Sequence, residues 1–191
     1  MAETKRQLKK AATRARIINT ARQIYAERGF NTPTSAIARA AGVSHGALFA
    51  HFPTRELLIL TLLGEFLEEA GGRLSVLSGR GGLTAFLNAH IKFLLEREDF
   101  YRRLITETVL LPAEASRALD AIQSTIAAPF LAILERRRGA LKPLPPRLIF
   151  NSWLGLVHYY LQNKNLFAPE GSALARYGAE LARAFRTMLA R

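Results

Sequence analysis

Apolar residues recur at three- and four-residue spacing along almost the whole chain, and no stretch shows the sustained alternation of a half-buried strand. This spacing places a continuous apolar stripe on one face of a helix. The pattern therefore predicts an all-α protein. The helices expected from it cover residues about 11–28, 34–41, 45–51, 55 onward, 83–97, 99–111, 113–138, 145–164 and 171–190.

Glycine and proline residues indicate where these helices end or break. Gly29 follows the first helix, where a C-terminal cap with a positive φ angle is expected. Pro129 falls inside the helix at 113–138, so we expect a kink or a split there. The segment 68–82 holds five of the thirteen glycines, which predicts a seam between a front unit and a rear unit.

The stretch AIARAAGVSHGALFAHF, residues 36–52, has the pattern of two short helices joined by a tight turn. Gly42 permits the sharp turn, and Ser44 is a favourable N-cap for the second helix. Because small residues let the two helices pack closely, the stretch predicts a helix-turn-helix. The side chains expected to pack beneath the turn are Ile37, Ala38, Ala41, Val43, Leu48 and Phe52.

The residues left on the outer surface of this pair are those suited to DNA. A helix enters the major groove only if its leading turn is unobstructed, and Gly46 and Ala47 lie in that turn. Thr34 and Ser35 begin the preceding helix, where hydroxyls and free N–H groups hold phosphate oxygens. Arg55 begins the fourth helix and is expected to contact another phosphate. The predicted DNA contacts are Thr34, Ser35, Ser44, His45, Gly46, Ala47, Phe49, His51 and Arg55.

The charge of the chain supports a nucleic-acid partner. Its 27 Lys and Arg exceed its 15 Asp and Glu, giving a net charge of +12. Residues 1–60 hold ten basic against three acidic side chains, so the positive field belongs mainly to the first third. The basic side chains near the N-terminus predict a disordered or frayed arm that attracts phosphate. They are Lys5, Arg6, Lys9, Lys10 and Arg14.

The absence of cysteine and of long apolar stretches bears on the cellular compartment of the protein and on its contact with membranes. The chain contains no cysteine, which excludes disulfides and thiolate metal sites and fits a reducing compartment. The basic N-terminus leads into no apolar signal region, and no stretch approaches about 20 consecutive apolar residues. We therefore expect a cytoplasmic protein that makes no membrane contact.

Residues 17–63 resemble the N-terminal domain of the TetR family of transcriptional regulators. The resemblance rests on ERGF, on the IAxxAGVS turn, on LFxHF and on TRELL in that order and spacing. It implies an all-helical homodimer that binds a palindromic operator through its N-terminal domains and a small inducer through its C-terminal domains. Phe49 stands where the family usually has Tyr, and Arg55 stands where it usually has Lys.

On this basis the chain is divided into two domains. Residues 1–56 are predicted to form the helix-turn-helix domain with its basic arm, and residues 57–191 a helical domain for ligand binding and dimerisation. The helix at 145–164 is apolar nearly all round, so one side is expected to meet a partner subunit, although both rear helices could instead be intramolecular core. The predicted dimer contacts are Trp153, Leu156, Tyr160, Tyr177, Leu181 and Phe185.

Polar residues among the apolar ones of the middle helices are candidates to line a ligand pocket. Glu107 is suited to pairing with a cationic compound, or equally with Arg103 one turn earlier. The predicted ligand contacts are His90, Tyr101, Thr106, Glu107, Gln123, Trp153 and His158, and a wider set adds Asn88, Thr108 and Asn151.

An enzyme is disfavoured because the chain lacks HExxH, the ExxH pairs of di-iron helical proteins, a phosphate loop and a cysteine nucleophile. No cofactor or metal is therefore expected. The predicted function is that of a repressor of a palindromic operator. A small-molecule inducer of unknown identity releases it by binding preferentially to the form that cannot bind the operator. The alternative is a non-specific architectural DNA-binding protein, which would bind random and operator DNA equally.

Overall fold

The protein is helical throughout the part that the structure describes. The structure, a computed structural model, covers the backbone of residues 4–80 and 82–191 and their side chains except those of 76–80 and 116. Within these ranges there is no strand ladder, only an isolated bridge between Leu141 and Ala190, so the predicted all-α class is confirmed. The helices are α1 Lys5–Arg28, α2 Thr34–Ala40, α3 His45–His51, α4 Arg55–Arg80, α5 Leu83–Leu95, α6 Glu98–Thr106, α7 Ala113–Arg136, α8 Pro146–Gln162, α9 Lys164–Phe167 and α10 Ala173–Leu189.

The basic N-terminal segment is helical, so the prediction of a disordered or frayed arm is wrong for the described residues. Thr4 and Gln7 form a capping box: the Thr4 hydroxyl accepts from the Gln7 N–H at 3.3 Å, and the Gln7 side chain accepts from the Thr4 N–H at 2.7 Å. These bonds satisfy N–H groups that a helix start leaves unpaired. Helix α1 consequently extends about six residues beyond the predicted start at Ala11.

The predicted seam at 68–82 is also wrong over the residues described. Helix α4 continues through Gly71 and Gly72 to Arg80, and Ala70 and Leu74 are buried along it. A Cβ at Gly71 would lie 3.3 Å from Cγ2 of Thr125, so this glycine lets α4 and α7 approach closely. Packing against α7 therefore outweighs the low helix propensity of glycine. Gly81 lies outside the described residues.

Helix α7 is continuous past Pro129, so the predicted split is absent. By length and composition alone, α7 is apolar enough to cross a membrane, as is the bent pair of α3 and α4 if it is taken as one span. Core helices of globular proteins meet the same criterion. One face of α7 is buried in the protein core through Ile122, Ile126 and Phe130, which accounts for its apolar composition.

Helix α10 is fixed to α6 by a buried carboxylate. Glu98, in the first turn of α6, is only 5% exposed. Its two oxygens accept hydrogen bonds from the backbone N–H groups of Ala173 at 2.9 Å and Leu174 at 3.0 Å, and from the Ser172 hydroxyl. A negative charge at the N-terminal end of a helix is favourable because the free N–H groups and the helix dipole point toward it. The cap therefore sets where α10 begins relative to α6.

Candidate nucleic-acid interface and ligand cleft

The turn between α2 and α3 has the predicted geometry. Gly42 adopts a φ angle of +63°, a left-handed conformation that glycine tolerates best. The Val43 N–H donates to the Ala38 carbonyl at 3.0 Å, and the Ser44 hydroxyl caps α3 by accepting from the Ala47 N–H at 3.1 Å. Five of the six predicted packing residues are buried and Val43 is half-buried, so this part of the prediction is confirmed.

The leading turn of α3 is open to solvent. Ser44, His45 and Gly46 are exposed and Ala47 is half-buried. A Cβ placed on Gly46 would find no heavy atom within 4 Å. The first turn of α3 therefore presents capped backbone and small side chains, which is the surface that a major groove accommodates.

Contacts between side chains arrange the two helix starts beside each other. The Thr34 hydroxyl lies 3.1 Å from Nε2 of His45, which joins the first residue of α2 to the first residue of α3. The His45 ring meets the edge of the Phe49 ring, with centroids 4.8 Å apart. Phe49 is therefore half-buried and supports His45, where the sequence predicted a fully outward side chain. Ser35 is exposed beside Thr34 at the same end of α2.

Two further predicted contacts are partly enclosed. His51 is half-buried, and its Nδ1 has no hydrogen-bond partner among the side chains described. The Arg55 guanidinium donates to the Phe30 carbonyl, so an internal bond already holds the side chain predicted to bind phosphate. Thr54 caps α4 by accepting from the Leu57 N–H at 3.1 Å. Sequence reasoning missed this cap, although a Thr just before a helix start is its usual signal.

Residues 42–46, GVSHG, match the GxSxG pattern of a nucleophile elbow. That motif requires a turn between a strand and a helix, whereas here the segment joins helices α2 and α3. The Ser44 hydroxyl accepts from the Ala47 N–H, and His45 contacts Thr34. Ser44 therefore has a capping role in this turn, without the structural context of a catalytic serine.

Basic side chains continue along the exposed first half of α1. Lys5, Arg6, Lys9, Lys10, Arg14 and Arg16 are all exposed. The Arg14 guanidinium lies over the Phe52 ring, 5.0 Å from its centroid, and Phe52 is the buried anchor at the end of α3. This cation–π contact ties the basic half of α1 to α3. Much of the positive charge of the first third of the chain is therefore carried on a helix that contacts the helix-turn-helix.

A cleft of about 330 Å³ lies among α6, α7 and α8. At its wall the Tyr101 hydroxyl and Nε2 of His158 are 2.8 Å apart. Burial lowers the pKa of His158 and raises the pKa of Tyr101, so this pair is uncharged near neutral pH. The cleft is lined by Tyr101, Leu104, Ile105, Thr108, Leu119, Asp120, Ile122, Gln123, His158 and Gln162.

The structure brings three of the seven predicted ligand contacts to this cleft, namely Tyr101, Gln123 and His158. His90 and Trp153 are instead buried together in the core, where the indole N–H donates to Nδ1 of His90 at 3.0 Å. Thr106 is exposed, and its hydroxyl donates to the Arg102 carbonyl.

Glu107 points toward α1 and pairs with Arg103 at 2.7 Å, which is the second of its two predicted partners. Helical spacing alone could not separate the cleft-facing side of α6 from the side that faces α1.

A larger groove of about 670 Å³ opens between α1, the start of α6 and the start of α10. It is lined by charged side chains that already have partners: Arg22 pairs with Glu65, Arg97 with Glu69, and Lys164 with Asp99. The smaller cleft is the better candidate for an organic ligand because it combines apolar walls with a few polar groups.

The predicted dimer contacts divide into two groups. Trp153, Leu181 and Phe185 are buried within the single chain, with the Trp153 and Phe185 rings 5.2 Å apart, so they offer no surface to a partner. Leu156, Tyr160 and Tyr177 are half-buried. The large exposed apolar side chains of α8 and α10 are instead Leu148, Tyr159 and Met188. Because α8 is apolar nearly all round, its sequence could not indicate which side faces its own core.

The fold and this surface define a helix-turn-helix protein with a helical second unit. Residues 17–62 match the family described as "Bacterial regulatory proteins, tetR family". The chain is therefore similar to this family over a segment that runs from the second half of α1 to the first part of α4.

The curated relatives that match the chain are transcriptional regulators of the helix-turn-helix type. The chain is 39% identical over 62 residues to the HTH-type transcriptional regulator UidR of Escherichia coli K12, covering 32% of each chain. It is 30% identical over 97 residues to the uncharacterized HTH-type transcriptional regulator YuxN of Bacillus subtilis 168, covering 48% of this chain and 33% of YuxN. The matched region therefore spans about a third of the length of these curated relatives.

Solved structures share the fold over nearly the whole chain. A TetR-family regulator from Agrobacterium tumefaciens superposes with a TM-score of 0.78 at 20% identity, covering 95% of this chain and 100% of that one. NalD of Pseudomonas aeruginosa, the secondary repressor of the MexAB-OprM multidrug efflux pump, superposes with a TM-score of 0.68 at 24% identity. The match covers 95% of this chain and 97% of NalD. At these identities the likeness establishes the fold alone.

Proposed function

We propose that this protein is a cytoplasmic transcriptional repressor that binds a palindromic operator as a homodimer and is released by a small molecule. The observation that carries the proposal is the open first turn of α3, where exposed Gly46 follows the Ser44 cap. The exposed basic half of α1 contacts the C-terminal end of α3 through Arg14 and Phe52, and it supplies phosphate attraction that is independent of sequence. One structural neighbour, NalD, is a repressor, which supports the same interpretation.

We propose different functions for the two parts of the chain. Residues 1–56 bind DNA, with contacts proposed for Thr34, Ser35, Ser44, His45, Gly46, Ala47, Phe49 and His51. Arg55 has a positioning role, because its guanidinium holds the Phe30 carbonyl. Residues 57–191 bind the ligand and the partner subunit.

The proposed dimer forms through the exposed faces of α8 and α10. Leu148, Ser152, Gly155 and Tyr159 follow one another at four- and three-residue spacing and are all exposed, so they form one stripe along α8. Small residues at the centre of the stripe allow a partner helix to approach closely. A two-fold dimer would place its two α3 helices about one DNA turn, roughly 34 Å, apart, which is why we propose a palindromic operator.

The proposed ligand is a small uncharged or cationic molecule that occupies the cleft among α6, α7 and α8. In a protein with a net charge of +12, the lining of this cleft includes no Lys or Arg and one carboxylate, Asp120. The Tyr101–His158 pair supplies neutral hydrogen-bonding groups, and the remaining wall is largely apolar. An anion would meet no opposite charge there, whereas a cation would meet Asp120.

Selection of bound duplexes from a random DNA pool, followed by competition with random DNA, tests the proposal. The wild-type protein should enrich a two-fold symmetric sequence. Random duplex should compete for the protein at least about 1,000-fold more weakly than the selected duplex does. Ala47→Trp should abolish this preference, since a large side chain in the leading turn blocks the groove. Equal binding of random and selected DNA would favour the alternative function of a non-specific architectural protein.

A further inference from the structure

The Gly29–Phe30 corner between α1 and α2 is held by a side chain of α6. The Phe30 N–H donates to Oε2 of Glu107 at 2.7 Å, while the Phe30 carbonyl accepts from Arg55 of α4. Gly29 has a φ angle of +84°, and a Cβ on it would lie 2.6 Å from the Glu107 carboxylate. The corner therefore has both a backbone conformation and a close contact that glycine alone satisfies.

Arg103 completes this contact from one turn earlier in α6. Its Nη1 donates to Oε1 of Glu107 at 2.7 Å, and its Nη2 donates to the Glu27 carbonyl at 2.9 Å. A cation at the C-terminal end of α1 is favourable because carbonyl groups there lack helical partners. Arg103, Glu107 and their backbone partners at 27–30 form what we name the α6–α1 contact.

Helix α6 and the residues just after it carry the cleft and the α6–α1 contact on different sides. Tyr101, Leu104, Ile105 and Thr108 line the cleft. Phe100, Arg103 and Glu107, spaced three and four residues apart, face the C-terminal end of α1 and the corner that follows it. Phe100 meets the Phe30 ring with centroids 5.8 Å apart. Because both sets of side chains belong to one short segment, a displacement of that segment by a molecule in the cleft also displaces the corner.

We propose that Arg103 and Glu107 are the positioning residues that couple occupancy of the cleft to the orientation of α2 and α3. This inference rests on the proposed DNA-binding function. The corner leads directly into α2, whose first residue, Thr34, contacts His45 at the start of α3. Movement of α6 thus reaches the leading turn of α3 through a short series of contacts.

Thermodynamic reciprocity allows the coupling to be tested without knowledge of the inducer. If the cleft influences DNA affinity through this contact, DNA binding must alter the cleft through it. The probe is the duplex that wild-type protein selects from a random pool. The measurement is amide hydrogen exchange in peptides covering residues 98–110, with and without this duplex.

In the wild-type protein, the duplex should slow exchange in residues 98–110 by about threefold or more. In Arg103→Ala and Glu107→Ala protein, the duplex should slow exchange by less than about 1.5-fold. The duplex is kept at a saturating concentration for each variant. Glu107→Gln is a second, milder variant: it retains an acceptor for the Phe30 N–H and removes the charge that holds Arg103, so it should give an intermediate effect.

The matched controls are Arg138→Ala and Glu135→Gln, which remove an exposed Arg–Glu pair at the end of α7 and should leave the wild-type response unchanged. If the duplex slows exchange in residues 98–110 of folded Arg103→Ala or Glu107→Gln protein as much as in the wild type, the inference is overturned and the proposed function stands. A wild-type protein that binds the duplex without protecting this segment would also overturn the inference. Selection of no duplex would overturn the proposed function, and the coupling with it.

Discussion

The indole N–H of Trp153 donates to Nδ1 of His90 at 3.0 Å in the core between α5 and α8. Both side chains are fully buried. Since Nδ1 accepts this bond, the neutral ring carries its proton on Nε2, which has no partner among the described atoms. Burial, and secondarily the nearby His158, lower the pKa of His90 to about 3. The core therefore requires a neutral imidazole.

Stability should fall on acidification because of His90. Its pKa is lower in the folded protein than in the unfolded chain, so the unfolded chain takes up the proton first as the pH falls. The free energy of unfolding should then decrease below about pH 6.5, by up to about 1.4 kcal/mol per pH unit, until about pH 3. Urea unfolding followed by the fluorescence of the single tryptophan measures this.

His90→Gln keeps an acceptor for Trp153 and should flatten this pH dependence, whereas substitution of the exposed His45 by Gln should leave it unchanged. An equally steep dependence in His90→Gln protein would show that other groups cause the acid sensitivity.

Close packing of α5 and α10 depends on Gly178. A Cβ on this residue would lie 2.4 Å from Cγ2 of Ile91. Gly178→Ala should therefore lower the free energy of unfolding by about 1–2 kcal/mol, because overpacking outweighs the gain in helix propensity. The same substitution at exposed Gly72, where a Cβ meets nothing within 4 Å, should be neutral or stabilising in urea unfolding. Equal effects at the two positions would contradict the close approach.

A long side chain at Gly155 should disrupt the proposed dimer without disturbing the fold of the subunit. Gly155 lies in the exposed stripe of α8, and nothing lies within 4 Å of a Cβ built there. Analytical ultracentrifugation at micromolar concentration should find a wild-type dimer and a Gly155→Arg monomer, with unchanged helical circular dichroism. Gly72→Arg, on exposed α4 surface, should remain dimeric. A wild-type monomer, or a dimeric Gly155→Arg variant, would contradict the proposed interface.

The charge preference of the cleft is testable with a matched pair of small molecules. Phenylbutylamine should stabilise the protein by about 1 kcal/mol at about five times its Kd, and phenylbutyrate should stabilise it less, despite the net charge of +12. Thermal unfolding with each compound measures the difference. Asp120→Asn should remove the preference, and Glu114→Gln, on the same helix outside the cleft lining, should retain it. Stronger stabilisation by the anion would contradict the proposed ligand class.

The helix-turn-helix was the most predictable part of the molecule because its determinants are local. The Gly42 turn, the Ser44 cap and the buried Leu48 each depend on residues within a few positions of one another. The capping box at Thr4 and Gln7 was equally local and could have been recognised from a Thr followed three residues later by Gln.

The helical class, the position of the turn and the open leading edge of α3 follow from the residue pattern alone, since spacing, caps and small side chains act over short distances. The pattern did not show which side of α8 is core, that Glu107 contacts α1, or that α4 continues through Gly71 and Gly72. These features depend on contacts between residues that are distant in sequence. A helical pattern shows that a face is buried, and it does not identify the element that buries it.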